Sequence, residues 1–154
     1  MKKKEKSGKA TRQLRRKGPE KVGRSILEGV RKDSSSLSRA YQLTRIASRA
    51  GFDWPNIEGV LKKLDEEIRE FREALALQDR KKIFEEIGDL FFVLANVSRF
   101  LHLHPEEALK KTLDKFVSRF HYMEASLHQE GKSLRQSDLV ELDRLWEESK
   151  KEKR

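Results

Sequence analysis

Apolar residues recur along most of the chain at alternating steps of four and three, the spacing that places them on one face of an α-helix. In the second predicted helix these positions are Ile57, Leu61, Leu64, Ile68, Phe71 and Leu75. In the third they are Ile83, Ile87, Leu90, Leu94, Val97 and Leu101, and in the fourth Leu109, Leu113, Phe116, Phe120, Met123 and Leu127. No stretch shows the alternation of a β-strand. The pattern therefore predicts an all-α fold, a compact bundle of four to five helices.

Capping residues and glycines set the ends of these helices. The serines at 34–36 offer N-cap hydroxyls for a first helix over about 37–50, and Gly51 can end it. Pro55 is expected in the first turn of the second helix, and Asp79 can cap the third. A last short helix is expected over about 138–150. Several helices of this small domain carry seam-like apolar faces, which favours association with a second copy.

The positive charge of the chain is concentrated at its start. Residues 1–33 hold 13 Lys and Arg against 4 Asp and Glu, whereas residues 34–154 hold 22 of each and are neutral. A segment so poor in apolar residues cannot offset its chain entropy by burial. We predict a disordered basic tail over 1–33 and a folded domain over 34–154. The tail would attract polyanions such as nucleic acid weakly and without specificity, or would only aid solubility.

Composition excludes several kinds of protein. The chain has no cysteine, so disulfides, thiolate zinc sites and thiol nucleophiles are excluded, and any metal must be held by oxygen or imidazole. No window approaches the roughly 20 apolar residues of a membrane-spanning helix. The basic start is not followed by the apolar region of a secretory signal. These features fit a cytoplasmic protein with no membrane contact.

Two pairs of acidic residues are the candidates for a metal site. Glu67 with Glu70, and Glu86 with Asp89, are each three residues apart and lie side by side on a helix. If the second and third helices are antiparallel neighbours, the two pairs can face each other. Oxygen ligands of this kind suit Mg²⁺ or Mn²⁺.

The position of the pairs on their helices bears on that interpretation. Acidic pairs at this spacing are common in a chain with 26 Asp and Glu, and most belong to a solvated face. Glu86, however, falls inside the apolar arc of its helix, and Glu67 and Glu70 border the core. A carboxylate turned into a core must be paired, neutralised or bound to a metal. The alternative to a metal is an internal salt bridge, with Lys115 or Arg119 as the partner.

Lys115 and Arg119 are also candidate phosphate ligands. They are four residues apart on the fourth helix and so share a face. Such a pair can grip phosphate oxygens, with Arg supplying a planar fork. A solvated flank is the other interpretation. Carboxylates for a divalent ion together with cations for phosphates are what phosphoryl chemistry requires.

These motifs resemble the MazG family of nucleoside triphosphate pyrophosphohydrolases. The sequence Glu66-Glu67-x-x-Glu70, followed after 15 residues by Glu86-x-x-Asp89, matches the family signature EExxE…ExxD. The flanking stretches also resemble the family, in its order: GFDWPNIEGVLKKLDEEIRE, FEEIGDLFFVLANVSRFL, HPEEALKKTLDKFVSRF and DRLWEESK. From about residue 25 the chain is similar to the C-terminal domain of these enzymes, and the basic head stands where two-domain members have their first domain.

The resemblance implies an all-α, usually dimeric enzyme of nucleotide-pool housecleaning. It would hydrolyse nucleoside triphosphates to monophosphate and pyrophosphate with Mg²⁺, for which Mn²⁺ can substitute. The catalytic metal ligands carried over are Glu67, Glu70, Glu86 and Asp89. The nucleotide contacts carried over are Lys63, Glu66, Lys82, Glu85, Lys115, Arg119 and Trp146. Trp146 would stack on a base, or else anchor the last helix.

One departure and two alternatives accompany this interpretation. Ser118 stands where a second Arg is expected in the family's KFxxRF segment, which weakens one phosphate contact. A catalytically weak or inactive helical binding module, with the tail on nucleic acid, is the alternative function. A di-iron bundle is disfavoured because such bundles use Glu-x-x-His pairs, and the sequence has none.

Overall fold

The computed structural model describes Gly23 and residues 25–151, and this part of the chain is helical and contains no strand. The five α-helices of the described residues are α1 Ser36–Arg49, α2 Ile57–Ala76, α3 Arg80–Phe100, α4 Pro105–Gln129 and α5 Leu139–Lys151. Two short 3₁₀ turns, Ile26–Gly29 and Leu134–Gln136, complete the fold. The predicted all-α class is confirmed.

The helix ends follow from the capping residues of the sequence. The Ser35 hydroxyl accepts a hydrogen bond from the backbone N–H of Ser38, and the Asp79 carboxylate accepts from the first turn of α3. Gly51 ends the α1 segment with a φ of 92°, a conformation that glycine adopts without steric cost. One detail differs from expectation. Asn56 caps α2, so Pro55 lies just before that helix and not in its first turn.

The helices pack as two groups. α2 and α3, joined by the short 77–79 connection, lie along each other, and α1 packs against α3. α4 packs mainly along α5, where buried side chains form a small core of Met123, Leu127 and Leu145. The groups meet where α4 contacts α1 and α3. The hydroxyls of Ser35 and Ser38 donate to Glu106 at the start of α4. None of the described helices is both long enough and apolar enough to cross a membrane.

Ordered structure begins before residue 34. The turn at Ile26–Gly29 packs against α1, and Val30, which follows it, is buried. Periodicity could not predict this contact because a single turn carries no repeat. The rest of the predicted basic tail, residues 1–22 and 24, lies outside the described residues.

The loop between α1 and α2 is fastened to α3 by a charged network. The Arg99 guanidinium donates to both carboxylate oxygens of Asp53, at 2.9 and 2.6 Å. Its Nε donates to the Oδ1 of the buried Asn96 at 2.7 Å. Burial would raise the pKa of Asp53, but the hydrogen bonds and charge of Arg99 outweigh it and hold that pKa below its usual value. In the same loop, Trp54 lies so close to α2 that a Cβ on Gly59 would come within 2.6 Å of it.

We expect Asp53→Ala to destabilise the fold by about 1–2 kcal/mol, because it leaves a guanidinium that is only 11% exposed without its charged partner. The cost is below that of a fully buried pair since Asp53 keeps some contact with water. A depressed carboxyl pKa contributes stability above the unfolded value and loses it as the pH falls through the folded one. The cost should therefore be full at pH 7 and fade below pH about 4. Urea unfolding at several pH values measures it.

Asp33→Ala is the matched control for this prediction. Asp33 pairs with Arg31 at the surface, where both side chains are exposed, so its loss should not change stability measurably. Equal effects of the two substitutions would contradict the role assigned to Asp53.

Candidate active site

Three carboxylates meet where α2 lies along α3. Glu67 and Glu70 come from α2 and Glu86 from α3, and one oxygen of each lies within 4.8 Å of the others. Antiparallel helices joined by a short loop bring the middle of one beside the start of the next, which explains why residues 16 or more apart converge. The sequence predicted that the two acidic pairs face each other, and three of their four members meet here.

Two carboxylates of this cluster are deeply buried. Glu67 and Glu86 are 4% and 6% exposed. One oxygen of Glu86, Oε2, is buried without a hydrogen-bond partner among the described residues. Burial raises the pKa of Glu86, and the charges of Glu70 and Glu67 raise it further. A buried carboxylate oxygen with no partner, next to two more carboxylates, is a fitting place for a cation.

Asp89, the fourth predicted ligand, is placed differently. It is exposed, and its carboxylate is not part of the three-carboxylate group. Its charge nevertheless contributes to the raised pKa of Glu86. Its role as a ligand stays a prediction.

The internal salt bridge anticipated for these carboxylates exists, but with another partner. Lys63 on α2 lies 2.7 Å from Glu67 and 2.9 Å from Glu66, measured from its Nζ to the carboxylate oxygens. Neither Lys115 nor Arg119, the partners that the sequence suggested, pairs with these carboxylates in the described part of the chain. Lys63 precedes Glu67 by four residues and Glu66 by three, so the helical spacing was the signal that could have identified it.

The remaining predicted contacts from α3 flank the cluster. Lys82 is exposed, and its charge opposes the rise of the Glu86 pKa. Glu85 is exposed and pairs with Lys81 at 3.9 Å. Both side chains are exposed on the helix that carries Glu86, and their contact with a nucleotide stays a prediction.

Arg119 and Trp146, two of the three predicted contacts on α4 and α5, lie together in a second cluster. The Arg119 guanidinium lies over the Trp146 ring at 5.4 Å, and the Phe116 ring lies 5.4 Å from Trp146. Trp146 also packs on the Met123, Leu127 and Leu145 core, so it anchors α5. Lys115 is exposed. These residues lie on the α4–α5 pair, whereas the carboxylates lie on the α2–α3 pair.

The fold and the carboxylate cluster together define a class: an all-α bundle with an acidic centre, built by two neighbouring helices, that could hold a metal ion. Known proteins narrow that class. Residues 56–123 match the MazG nucleotide pyrophosphohydrolase domain, which includes both acidic pairs. Over this stretch the chain belongs to the MazG family, which confirms the resemblance of its motifs.

Three of the relatives are named after an activity, two of them as follows. The Nucleoside triphosphate pyrophosphohydrolase/pyrophosphatase MazG of Thermotoga maritima is 43% identical over 115 residues, covering 75% of this chain and 44% of that protein. The Nucleoside triphosphate pyrophosphohydrolase of Escherichia coli K12 is 31% identical over 135 residues, covering 86% of this chain and 51% of that protein. The chain thus spans about half the length of the curated relatives that it matches.

Proposed function

We propose that this protein hydrolyses nucleoside triphosphates to nucleoside monophosphate and pyrophosphate with a divalent cation. The observation that carries the proposal is the unpartnered Oε2 of Glu86, buried beside the carboxylates of Glu67 and Glu70. The names of the Thermotoga and Escherichia relatives support the reaction class. Housecleaning of the nucleotide pool in the cytoplasm is the role that we propose for it.

The cation would be held by the three clustered carboxylates, with Asp89 as the fourth ligand. Carboxylate oxygens are the ligands that Mg²⁺ prefers, and Mn²⁺ accepts the same set. The ion would polarise a phosphate oxygen and lower the pKa of a water molecule.

The side chains around the cluster would bind and orient the nucleotide. In the reaction, the oxygen of a water molecule bonds to the α-phosphorus, and the bond from that phosphorus to the bridging α–β oxygen breaks. One proton leaves the water, and pyrophosphate departs. Glu66 and Glu67 are the candidates to take that proton. Positive charge near the leaving pyrophosphate would come from Arg119 and Lys115. The proposed nucleotide contacts are Lys63, Glu66, Lys82, Glu85, Lys115, Arg119 and Trp146.

An assay of pyrophosphate release tests the proposal. Purified full-length chain is given ordinary and modified triphosphates, with Mg²⁺, with Mn²⁺ and with a chelator. We expect pyrophosphate and monophosphate in equal amounts, only when the cation is present. Formation of diphosphate and inorganic phosphate, or no turnover on any triphosphate, would contradict the proposal and favour a binding module.

We also propose that the protein is a homodimer, because large apolar side chains line the outside of the bundle. On α3 they follow helical steps of three and four, at Phe84, Ile87, Phe91 and Leu94. On α4 they are Leu109, Leu113, Phe116 and Val117. A pocket of about 410 Å³ lined by Leu37, Phe91, Phe92 and Leu109 joins the two stripes. Exposed apolar surface of this extent is typical of an interface with a second copy.

A dimer would also bear on the active site. The α4 helix packs mainly along α5 of its own chain, and its Arg119 lies over Trp146 of α5 and not among the three carboxylates. A second copy packed on α3 and α4 would place its own α4, with the cations of that helix, against this chain. We therefore expect activity to depend on association.

We expect Phe91→Glu to convert the dimer to a monomer at micromolar concentration, because it places a charge in the middle of a buried apolar interface. Phe91 is 62% exposed in the single chain, so the monomer should still fold. Sedimentation velocity measures the change. The matched control is Leu139→Glu at the start of α5, which is similarly exposed but outside both stripes. A wild-type monomer, or a Phe91→Glu dimer, would contradict the proposal.

A further inference from the structure

Two cations of α2 lie near the acidic centre. The Lys63 ammonium pairs closely with Glu67, and the exposed Arg69 guanidinium lies 4.0 Å from Glu70. The Nζ of Lys63 lies 2.7 Å from Oε1 of Glu67 and 2.9 Å from Oε1 of Glu66. The Lys63 side chain is 34% exposed, whereas that of Glu67 is 6% exposed. The ammonium therefore lies at the border between solvent and the buried cluster.

Glu67 belongs to two charged groups at once. It accepts from Lys63, and one of its oxygens also lies within 4.8 Å of oxygens from Glu70 and Glu86. Lys63 thus neutralises the Glu67 carboxylate of the cluster, while Oε2 of Glu86 has no partner among the described residues. A divalent ion bound by all three carboxylates would share Glu67 with the Lys63 ammonium. Because both are cations, they would repel each other.

From this geometry we infer that Lys63 is the counter-cation of the metal-free centre and competes with the metal ion for Glu67. The inference rests on the proposed metal site. Binding of the ion weakens the Lys63–Glu67 pair, and the released ammonium needs another anion. The phosphates of a nucleotide bound at the same centre supply one, because a lysine ammonium is a strong donor to phosphate oxygens.

The competition makes the binding of metal and nucleotide cooperative. Without nucleotide, the metal must displace Lys63 from Glu67, and the released ammonium gains no new anionic partner. With nucleotide, Lys63 exchanges a carboxylate for a phosphate, and the metal binds more tightly. By linkage, the metal strengthens nucleotide binding by the same factor.

Calorimetric titration of Mn²⁺ into the full-length chain without nucleotide tests the inference. Lys63→Met keeps the aliphatic stem and removes the ammonium, so we expect Mn²⁺ to bind about three- to tenfold more tightly than to the wild type. Lys62→Met is the matched control, since Lys62 is the exposed neighbour on the same helix and carries the same charge. Its Mn²⁺ affinity should stay within about twofold of the wild type.

A second titration, in the presence of a non-hydrolysable triphosphate analogue, measures the cooperativity. The analogue should strengthen Mn²⁺ binding in the wild type and in Lys62→Met, and should do so less in Lys63→Met. Circular dichroism confirms that each variant is folded. If Lys63→Met is not, Lys63→Gln takes its place in the same measurements.

The outcomes separate this inference from the proposed function. If the wild type binds Mn²⁺ and the Lys63 variant binds it no more tightly than Lys62→Met does, the competition is overturned and the metal site stands. If no form of the protein binds Mn²⁺, with or without the analogue, both the metal site and the competition are overturned.

Discussion

Replacing Glu86 by Gln is expected to reduce cation-dependent pyrophosphate release by about a thousandfold and to stabilise the protein in the absence of metal. The activity falls because the cluster loses the ligand that the structure leaves most in need of a cation. The stability rises because a neutral amide replaces a carboxylate that is buried near Glu67 and Glu70 and has one oxygen without a partner.

The pH dependence of the stability effect follows from the raised pKa of Glu86. A carboxyl group whose pKa is raised by folding begins to cost stability as the pH rises past its unfolded pKa, and the cost is complete above its folded pKa. Below its unfolded pKa it is protonated in both states and costs nothing. The gain in Tm from Glu86→Gln should therefore disappear below pH about 4 and grow as the pH rises from there to 8. Thermal unfolding in EDTA across this range measures it.

Asp65→Asn is the control for both effects. Asp65 lies on the exposed face of α2, near the cluster in sequence but outside it. Its substitution removes one negative charge without touching a proposed ligand, so activity and Tm should both stay near the wild-type values. An active Glu86→Gln variant, or one that is less stable in EDTA at pH 7, would contradict the account of the cluster.

Arg119→Gln is expected to lower kcat/KM for a triphosphate by about a hundredfold while leaving Mn²⁺ binding without nucleotide unchanged. Arg119 lies over the Trp146 ring on the α4–α5 pair and is not part of the carboxylate cluster. Its guanidinium is the donor best suited to phosphate oxygens in that group. Gln retains part of the side chain that packs on Trp146, so the fold should persist.

Lys110→Gln serves as the comparison for Arg119. Lys110 is exposed on the same helix, nine residues away and on the opposite side of it. If Arg119 binds phosphate, only the Arg119 variant should lose kcat/KM. Equal losses in both variants would assign the effect to the overall charge of α4, and an altered Mn²⁺ affinity would place Arg119 at the metal site.

The helices and the acidic centre were predictable because the sequence encodes both locally. Alternating steps of four and three define the helical faces, and residues such as Ser35 and Asp79 cap the helices as expected. The position of Glu86 inside the apolar arc of its helix indicates a buried carboxylate, and Glu86 is buried. A helical wheel gives the direction of a side chain relative to its own helix, and for Glu86 that was enough.

Contacts between distant parts of the chain were not predictable in the same way. Asp53 and Arg99 are 46 residues apart, and no periodicity links a loop residue to a residue near the end of a helix. The sequence suggests a cation of α4 as the partner of the carboxylates, whereas Glu67 pairs with Lys63, one turn away on α2. Periodicity also shows that α3 has apolar faces without showing what covers them, and Phe84 and Phe91 remain exposed in the single chain.

Metal binding at the three carboxylates is best tested by calorimetric titration of Mn²⁺ into the wild-type protein and Glu86→Gln, each saturated with a non-hydrolysable triphosphate analogue. We predict that the wild type takes up Mn²⁺ and that Glu86→Gln loses this binding. Equal uptake by the two proteins would show that the ion is held elsewhere, and no uptake by the wild type would contradict the metal site altogether.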